Sequence, residues 1–168
     1  MAERKIVFQD KTLNFKGMFD LKGLFRTINT FLAEHRYEPF ENKNYQEVYE
    51  DGKKVVFELL PYRKITDYYR LEIRVWAVFE RLKDVEVEIK GVKQKLLKGD
   101  ANFTFDATLI TDYENRWEGR GVYFFFRSLI DKFIYKGYTD QYETAVTKDV
   151  RDLMEEIRAY LNMFRYTV

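Results

Sequence analysis

Strict alternation of apolar and polar residues between Tyr69 and Phe79 is the feature that most restricts how this chain can fold. Every second residue there is apolar: Tyr69, Leu71, Ile73, Val75, Ala77 and Phe79. Side chains of a β-strand point alternately to its two faces, so a period of two places one face against a core. The opposite face then carries Arg70, Glu72, Arg74, Trp76 and Val78. The segment is predicted to be one long, half-buried strand.

Similar alternation continues on both sides of this segment and is divided by turn residues. Asp51-Gly52 is typical of two-residue hairpin turns and predicts that the strands beside it pair antiparallel. Lys90-Gly91 and Gly99-Asp100 mark further turns. The predicted strands are Tyr45–Glu50, Lys53–Tyr62, Tyr69–Phe79, Val85–Ile89, Val92–Leu97 and Phe103–Leu109. Six strands joined by short connections predict an antiparallel meander with one core face and one more polar face.

The chain before the meander is predicted to contain a small hairpin and a helix. Lys5–Gln9 and Thr12–Lys16 each place apolar residues two apart, on either side of a polar turn. The spacing then changes to that of a helical face, with apolar residues at Leu21, Leu24, Phe25, Ile28, Phe31 and Leu32. Asp20 is a natural N-cap, and the helix should end near Arg36.

Two further helices are predicted after the meander. The first runs from Val122 to Lys136, where Gly137 ends it, and is so apolar that little of it can remain in contact with water. The second begins at Thr139 or Asp140. Its apolar stripe consists of Tyr142, Val146, Val150, Leu153, Ile157, Tyr160, Leu161 and Phe164. Because its opposite face is charged, this long amphipathic helix must lie on an apolar surface, most simply the sheet.

Together these elements predict an α+β protein with an antiparallel meander sheet of about six strands, an N-terminal helix and two C-terminal helices. A single domain over residues 1–168 is expected from the length. The order of elements resembles the START-like helix-grip fold, in which a curved sheet wraps the last helix and often encloses an apolar ligand. The resemblance is topological and covers most of the chain, and the helix at Val122–Lys136 is an addition to the usual pattern.

Three short stretches, DYENRW, LIDKFIYK and LNMFRY, are similar to those of an uncharacterised group of archaeal proteins of about this length. This similarity implies an archaeal, cytoplasmic protein. It transfers no activity to the chain, because none is assigned to the group.

Composition and charge exclude several classes of protein. With 29 basic and 28 acidic residues, the net charge of +1 offers no general attraction to nucleic acid or to an anionic membrane. Without cysteine there are no disulfides, thiolate metal sites or cysteine nucleophiles. The lone His35 and the lone Ser128 stand in no recognised catalytic or metal-binding spacing, and no cofactor motif is present. No stretch is apolar enough to span a membrane, so a soluble, cytoplasmic protein is expected. Because these motifs and spacings are missing, the protein is also expected to have no cofactor or metal.

The linker Asp112–Arg120 concentrates charged residues between the last strand and the aromatic helix. Its acids are suited to acid/base work or to binding a hard cation, and Arg116 is suited to holding an anion. Mutual neutralisation of these acids and arginines, with Trp117 packed on the sheet edge, explains the same residues. An enzyme is therefore the less favoured interpretation.

A binding protein explains the many Phe and Tyr residues with the fewest assumptions. It would hold an apolar small molecule or a protein partner between the sheet and the C-terminal helix. The residues expected at this site are Tyr69, Trp76, Phe105, Arg116, Trp117 and Phe126, with Arg116 at its mouth. A structural protein that self-associates through the long C-terminal helix is a second interpretation.

Lysines cluster around one predicted hairpin, at Lys90, Lys93, Lys95 and Lys98. Such a cluster is suited to weak binding of a phosphate backbone. Lysines also protect exposed strand edges from unwanted pairing. The near-zero net charge favours the protective role, and nucleic acid is not the expected partner.

Overall fold

An antiparallel sheet is the largest feature of the computed structural model, which describes residues 3–113 and 136–166. The elements are β1 (Glu3–Phe19), α1 (Leu21–Glu34), β2 (Glu41–Tyr49), β3 (Gly52–Leu59), β4 (Tyr62–Lys64), β5 (Tyr69–Ile89), β6 (Val92–Thr111), α2 (Lys136–Met163) and a 3₁₀ turn (Phe164–Tyr166). The described strands lie in the order β1-β6-β5-β3-β2, and β4 pairs with β5. The predicted α+β class and antiparallel sheet are confirmed.

β5 confirms the alternation from which its prediction was made. Its six apolar positions between Tyr69 and Phe79 are at most 3% exposed, and the residues between them are only partly buried. α1 and α2 contribute to the same buried cluster as these six side chains. We call the side of the sheet that packs against these helices the inner face, and the opposite side the outer face.

β5 and β6 are each one long strand, although the sequence predicted two strands for each. A bulge between Glu80 and Lys83 accommodates the change of pattern in β5, where Arg81 has a φ of 54°. Gly99 lies opposite this bulge, and a Cβ at that position would approach the carbonyl oxygen of Glu80 to 2.6 Å. Gly99 therefore permits close backbone contact inside β6 and does not form the predicted turn.

The predicted N-terminal hairpin is wrong, because the whole segment Glu3–Phe19 forms the single strand β1. β1 pairs with β6, and its register shifts twice, between Ile6 and Phe8 and between Phe8 and Lys11. Asp10 has a φ of 50°, and its N–H donates to Asp106 Oδ1 at 2.8 Å. Asp10 and its neighbour thus form an irregularity within one strand, where the sequence predicted a reversal of the chain.

The hairpin of β2 and β3 is confirmed, with its loop one residue earlier than predicted. Tyr49 pairs with Gly52, so Glu50 and Asp51 form the two-residue connection. Gly52 has a φ of 147°, and a Cβ there would lie 2.9 Å from the backbone of Arg81. The glycine is needed beside the turn because the bulged part of β5 passes close to it.

Both described helices follow their predicted apolar faces. Asp20 caps α1 as predicted, since its carboxylate accepts hydrogen bonds from the N–H groups of Lys22 and Gly23. In α2, five residues of the predicted stripe are fully buried: Val146, Val150, Leu153, Ile157 and Leu161. α2 already includes Lys136, before the predicted caps, so Gly137 lies within a helix and does not end one. The predicted helix Val122–Lys136 lies outside the described residues except for its last residue.

The core lies between the inner face of the sheet and the two described helices. Phe79 is at its centre, with ring centroids 5.6 Å from Phe19, 5.7 Å from Phe57 and 5.6 Å from Phe103. Neither described helix has an apolar stretch long enough to cross a membrane. In the described part of the chain, packed side chains from the sheet and the two helices thus occupy the inner face.

Candidate functional site

Tyr69 and Phe105, both predicted at a ligand site, lie on the inner face of the sheet. Phe105 is fully buried, and its ring centroid is 6.1 Å from that of Phe103. The Tyr69 hydroxyl is 3.1 Å from the hydroxyl of Thr139 in α2. Tyr69 also lines a recess of about 140 Å³ with Leu109. Pockets for small organic ligands usually measure about 300–1,000 Å³, so this recess is too small for such a ligand.

Trp76, in contrast, lies on the outer face, and the predicted grouping of Trp76 with Tyr69 and Phe105 is wrong. The reason is the period of two in β5, which turns even-numbered residues away from the helices. Two charged side chains lie over the Trp76 ring. Lys43 Nζ is 5.2 Å and the Arg74 guanidinium carbon is 5.4 Å from the ring centroid.

Arg116, Trp117 and Phe126, the remaining predicted ligand contacts, lie outside the described residues. A ligand position between the sheet and the C-terminal helix stays a prediction for that reason. Asp112 is the described end of the charged linker, and it is 2% exposed. Its N–H donates to the carbonyl oxygen of Tyr68 at 2.8 Å, which ties the end of β6 to the loop before β5.

A groove of about 640 Å³ lies on the outer face. We call it the outer-face groove. Its lining residues are Arg4, Ile6, Gln9, Asp10, Phe40, Glu58, Leu60, Tyr62, Arg70, Glu72, Arg74, Asp106 and Thr108. Charged side chains from β1, β3, β5 and β6 form its floor, and apolar and aromatic side chains lie among them. This volume falls within the usual range for small-molecule sites.

Arg74 forms ion pairs with two acids of the outer-face groove. Its Nε donates to Glu58 Oε1 at 2.6 Å, and its Nη1 donates to Asp106 Oδ2 at 3.0 Å. Asn42 Nδ2 donates to the other oxygen of Glu58 at 2.5 Å. The guanidinium thus connects β3 to β6 across β5, and both of its acidic partners are held in fixed positions.

Glu58 is 5% exposed, and its pKa reflects two opposing influences. Burial raises the pKa, but the hydrogen bonds from Arg74 and Asn42 outweigh it and hold the pKa below its ordinary value of 4.5. A carboxylate with a depressed pKa stabilises the fold above its unfolded pKa, and this contribution is lost as pH falls through the folded pKa.

Replacing Glu58 by glutamine is therefore expected to lower the free energy of unfolding by about 1–2 kcal/mol at pH 7. The difference from the wild type should shrink as pH falls below 4.5 and approach zero once Glu58 is protonated in both states. Urea denaturation at pH 7 and at acidic pH measures this difference. Glu80→Gln, which removes an exposed acid 3.6 Å from Lys54, is the control with little effect at either pH. An undiminished difference for Glu58→Gln at acidic pH would contradict the assignment.

A second cationic group lies at one end of the outer-face groove. Arg70 Nη2 is 3.2 Å from Glu72 Oε2, and Arg4 Nη1 is 3.5 Å from Glu72 Oε1. The Arg70 guanidinium carbon also lies 5.3 Å from the ring centroid of Tyr62 and 5.7 Å from that of Tyr113. Arg70 Nε is buried and has no hydrogen-bond partner among the described residues. This end of the groove therefore presents a guanidinium held against aromatic rings.

The predicted lysine cluster lies on a two-stranded arm formed by the far ends of β5 and β6. In its register Lys93 stands opposite Glu88, and Lys95 stands opposite Glu86. Opposite charges on directly facing residues stabilise such a pair of strands. Lys90, at the tip, has a φ of 51° beside Gly91, which is suited to a tight hairpin turn. Lys98, in contrast, stands opposite Lys83. The facing acids therefore neutralise Lys93 and Lys95 within the arm, but not Lys98.

The residues of the outer-face groove were not predicted as a site, because the residues predicted to bind a ligand are mostly apolar and aromatic. The pattern that indicates the groove lies in the polar positions of the alternating strands, where Arg70, Glu72 and Arg74 stand at every second position of β5. Asp106 and Thr108 occupy the facing positions of β6. Among residues 3–113 and 136–166, no group of acids and histidine is arranged to hold a metal ion.

Neither the family models nor the curated proteins contain a match to this sequence.

Proposed function

We propose that the protein is a binding protein whose ligand lies in the outer-face groove. The observation that carries this proposal is the combination of an accessible volume of about 640 Å³ with fixed polar groups. Specific small-molecule sites typically pair apolar walls with a few well-placed polar groups. Here Phe40, Leu60 and Tyr62 supply apolar contact, and Arg74 lies between two carboxylates.

The proposed ligand is a small organic molecule with an apolar or aromatic body and hydrogen-bonding groups. Its apolar body would rest on Phe40 and Leu60, and a planar acceptor would meet the guanidinium of Arg70, which lines the groove. Glu58, Glu72 and Asp106 already accept bonds from arginines, so a strongly cationic ligand has to displace those arginines. This argument favours neutral or weakly acidic ligands over cations. A cytoplasmic setting is part of the same proposal.

Filling the groove is expected to abolish binding without disturbing the fold. Thr108 lies on the groove floor, so Thr108→Trp should weaken any ligand by at least roughly tenfold through steric exclusion. The matched control is Thr104→Trp, on the same strand and the same face but outside the groove lining. Ligand-detected NMR with a metabolite extract, recorded for the wild type and both variants, measures the effect.

The control decides how this comparison is interpreted. NMR signals of ligand binding that are lost with Thr108→Trp and retained with Thr104→Trp support a ligand position in the outer-face groove. Equal binding by all three proteins would show that the ligand lies elsewhere and would contradict the proposal. Circular dichroism and thermal unfolding of each variant exclude loss of the fold as the cause.

A further inference from the structure

β2 is an exposed edge strand with an open hydrogen-bonding side. All nine of its residues are exposed, and no described strand lies beyond it in the sheet. Four of the large apolar side chains that remain exposed belong to β2 or directly precede it: Phe40 at 51%, Tyr45 at 46%, Val48 at 73% and Tyr49 at 53%. An edge of this kind is a template for pairing with another strand.

The opposite edge, formed by β1, is also exposed but is less regular. Its register is interrupted on both sides of Phe8, and it carries Lys5, Lys11 and Lys16. Bulges and lysines are the usual means by which edge strands avoid pairing with other chains. In β2 the register shifts once, between Glu41 and Lys43, and the strand is regular from there to Tyr49. The two described edges of the sheet therefore differ, and β2 is the one suited to accept a strand.

We propose that β2 pairs antiparallel with the β2 strand of a second copy of this chain, so that the two sheets become continuous. Centred on Tyr45, this pairing sets Lys43 opposite Glu47, and two-fold symmetry repeats that pair on the other side of the axis. On the other face it sets Asn44 opposite Gln46. Facing residues of opposite charge or matching hydrogen-bonding capacity stabilise antiparallel pairs. The strand is thus complementary to itself.

Neighbouring registers lack this complementarity. A two-fold axis perpendicular to the sheet keeps the outer faces of both copies on one side, so odd-numbered residues face odd-numbered ones. Sliding one copy by two residues in one direction sets Glu41 opposite Glu47, which repels. Sliding it by two residues in the other direction sets Lys43 opposite Tyr49 and Glu47 opposite Tyr45. Neither of these two pairs is an ion pair. Charge therefore selects the register centred on Tyr45.

The backbone is compatible with the same register. In an antiparallel ladder, alternate residues of an edge strand direct their N–H and C=O groups outward. Because Tyr49 and Gly52 flank a two-residue loop and bond to each other, the outward-directed residues of β2 are Asn44, Gln46 and Val48. The proposed pairing joins Asn44 to Gln46, so the outward-directed groups of these two residues meet each other. A single strand pair buries little area, and the expected dimer is weak and concentration-dependent.

Cysteine cross-linking tests the two-fold position directly, because the chain has no cysteine of its own. Tyr45→Cys places two thiols opposite each other on the axis, where facing Cβ atoms lie about 4.5–5.5 Å apart and a disulfide can form with small adjustments. Tyr49→Cys, on the same strand and face but outside the Lys43–Glu47 pairs, is the matched control, because its two copies would lie about 26 Å apart. Rapid disulfide dimerisation of Tyr45→Cys alone is expected under mild oxidation. Equal, slow cross-linking of both variants would overturn the proposal.

Charge reversal tests the register. Lys43→Glu and Glu47→Lys should each weaken dimerisation roughly tenfold, as measured by sedimentation velocity, because each creates two like-charged pairs. The double variant restores opposite charges and should restore the dimer. Lys43 also lies 3.8 Å from Glu58 in its own chain, but the double variant does not restore that contact. A wild type that stays monomeric at every concentration, or a double variant that dimerises no better than the single ones, would overturn the proposal.

Discussion

Replacing Asp149 by alanine is expected to lower the free energy of unfolding by about 3 kcal/mol, because the change leaves a half-buried cation and a buried hydroxyl without their shared partner. Tyr37 donates to Asp149 Oδ2 at 2.8 Å, and Arg63 Nη2 lies 3.0 Å from the same oxygen. Arg63 Nη1 also donates to the carbonyl oxygen of His35 at 2.9 Å. The carboxylate thus joins α2 to β4 and to the chain that follows α1.

The surroundings of Asp149 explain why this effect is large. Asp149 is 8% exposed and Tyr37 is 3% exposed. Burial raises the pKa of Tyr37, and the charge of Asp149 raises it further, so the hydroxyl remains a donor throughout the ordinary pH range. The Arg63 guanidinium lies over the Tyr37 ring, with its carbon 4.8 Å from the centroid. Loss of the acid therefore affects three elements at once.

Asp152→Ala is the matched control for Asp149→Ala. Asp152 lies one turn of α2 away, in an exposed pair with Lys148 at 2.5 Å, and such pairs contribute only about 0.3–0.5 kcal/mol. Urea denaturation of both variants at neutral pH measures the difference. Similar small losses for the two variants would show that Asp149 does not fasten α2 to the rest of the fold.

Phe79→Ala is expected to cost about 4 kcal/mol, close to the upper end for truncation of a core aromatic residue. Phe79 is fully buried, and its ring contacts three other phenylalanines, Phe19, Phe57 and Phe103. Removing the ring takes away its transfer free energy and leaves a cavity that rigid neighbours cannot fill. Chemical denaturation of the purified variant measures the loss.

The size of this loss also tests whether the inner face is filled. If a large void already lay beside Phe79, truncation would cost only about 1.5–3 kcal/mol from transfer, without the additional cost of a new cavity. Phe40→Ala is the control, because Phe40 is 51% exposed and its loss should have little effect on stability. A loss well under 3 kcal/mol for Phe79→Ala would favour a hollow core and a ligand on the inner face.

The elements with strong local patterns could be predicted from the sequence. A period of two identified the buried half of β5, and a helical period with a capping residue identified α1. In α2 the apolar stripe was correct, but neither of the predicted caps, Thr139 or Asp140, starts the helix, which already includes Lys136. Local patterns thus determine which residues are buried better than they determine where an element begins.

Strand continuity and pairing could not be predicted, because they depend on distant parts of the chain. Gly99 has the appearance of a turn residue, but its role is to permit contact with the bulge of β5. The pairing of β1 with β6 joins residues such as Phe15 and Ala101, which are far apart in sequence. Without that pairing, the polar residues near Asp10 resemble a hairpin turn and not a bulge within a strand.

The candidate site was harder to predict than the fold for a related reason. Trp76 was expected at the ligand because it is aromatic, but its even position in β5 places it on the outer face. The groove beside it combines residues from five strands, and Arg74 reaches both Glu58 and Asp106 only after β3 and β6 flank β5. Such a set of contacts follows from sheet order, which no single stretch of the sequence contains.

Binding of a small molecule in the outer-face groove is tested most directly by native mass spectrometry of the protein purified from its own source. The masses before and after denaturation are compared, and any released molecule is added back to the wild type, Thr104→Trp and Thr108→Trp. The proposal predicts an excess mass that is lost on unfolding and that rebinds to the first two proteins but not to Thr108→Trp. A native mass equal to that of the chain alone, or rebinding to Thr108→Trp with unchanged affinity, would contradict it.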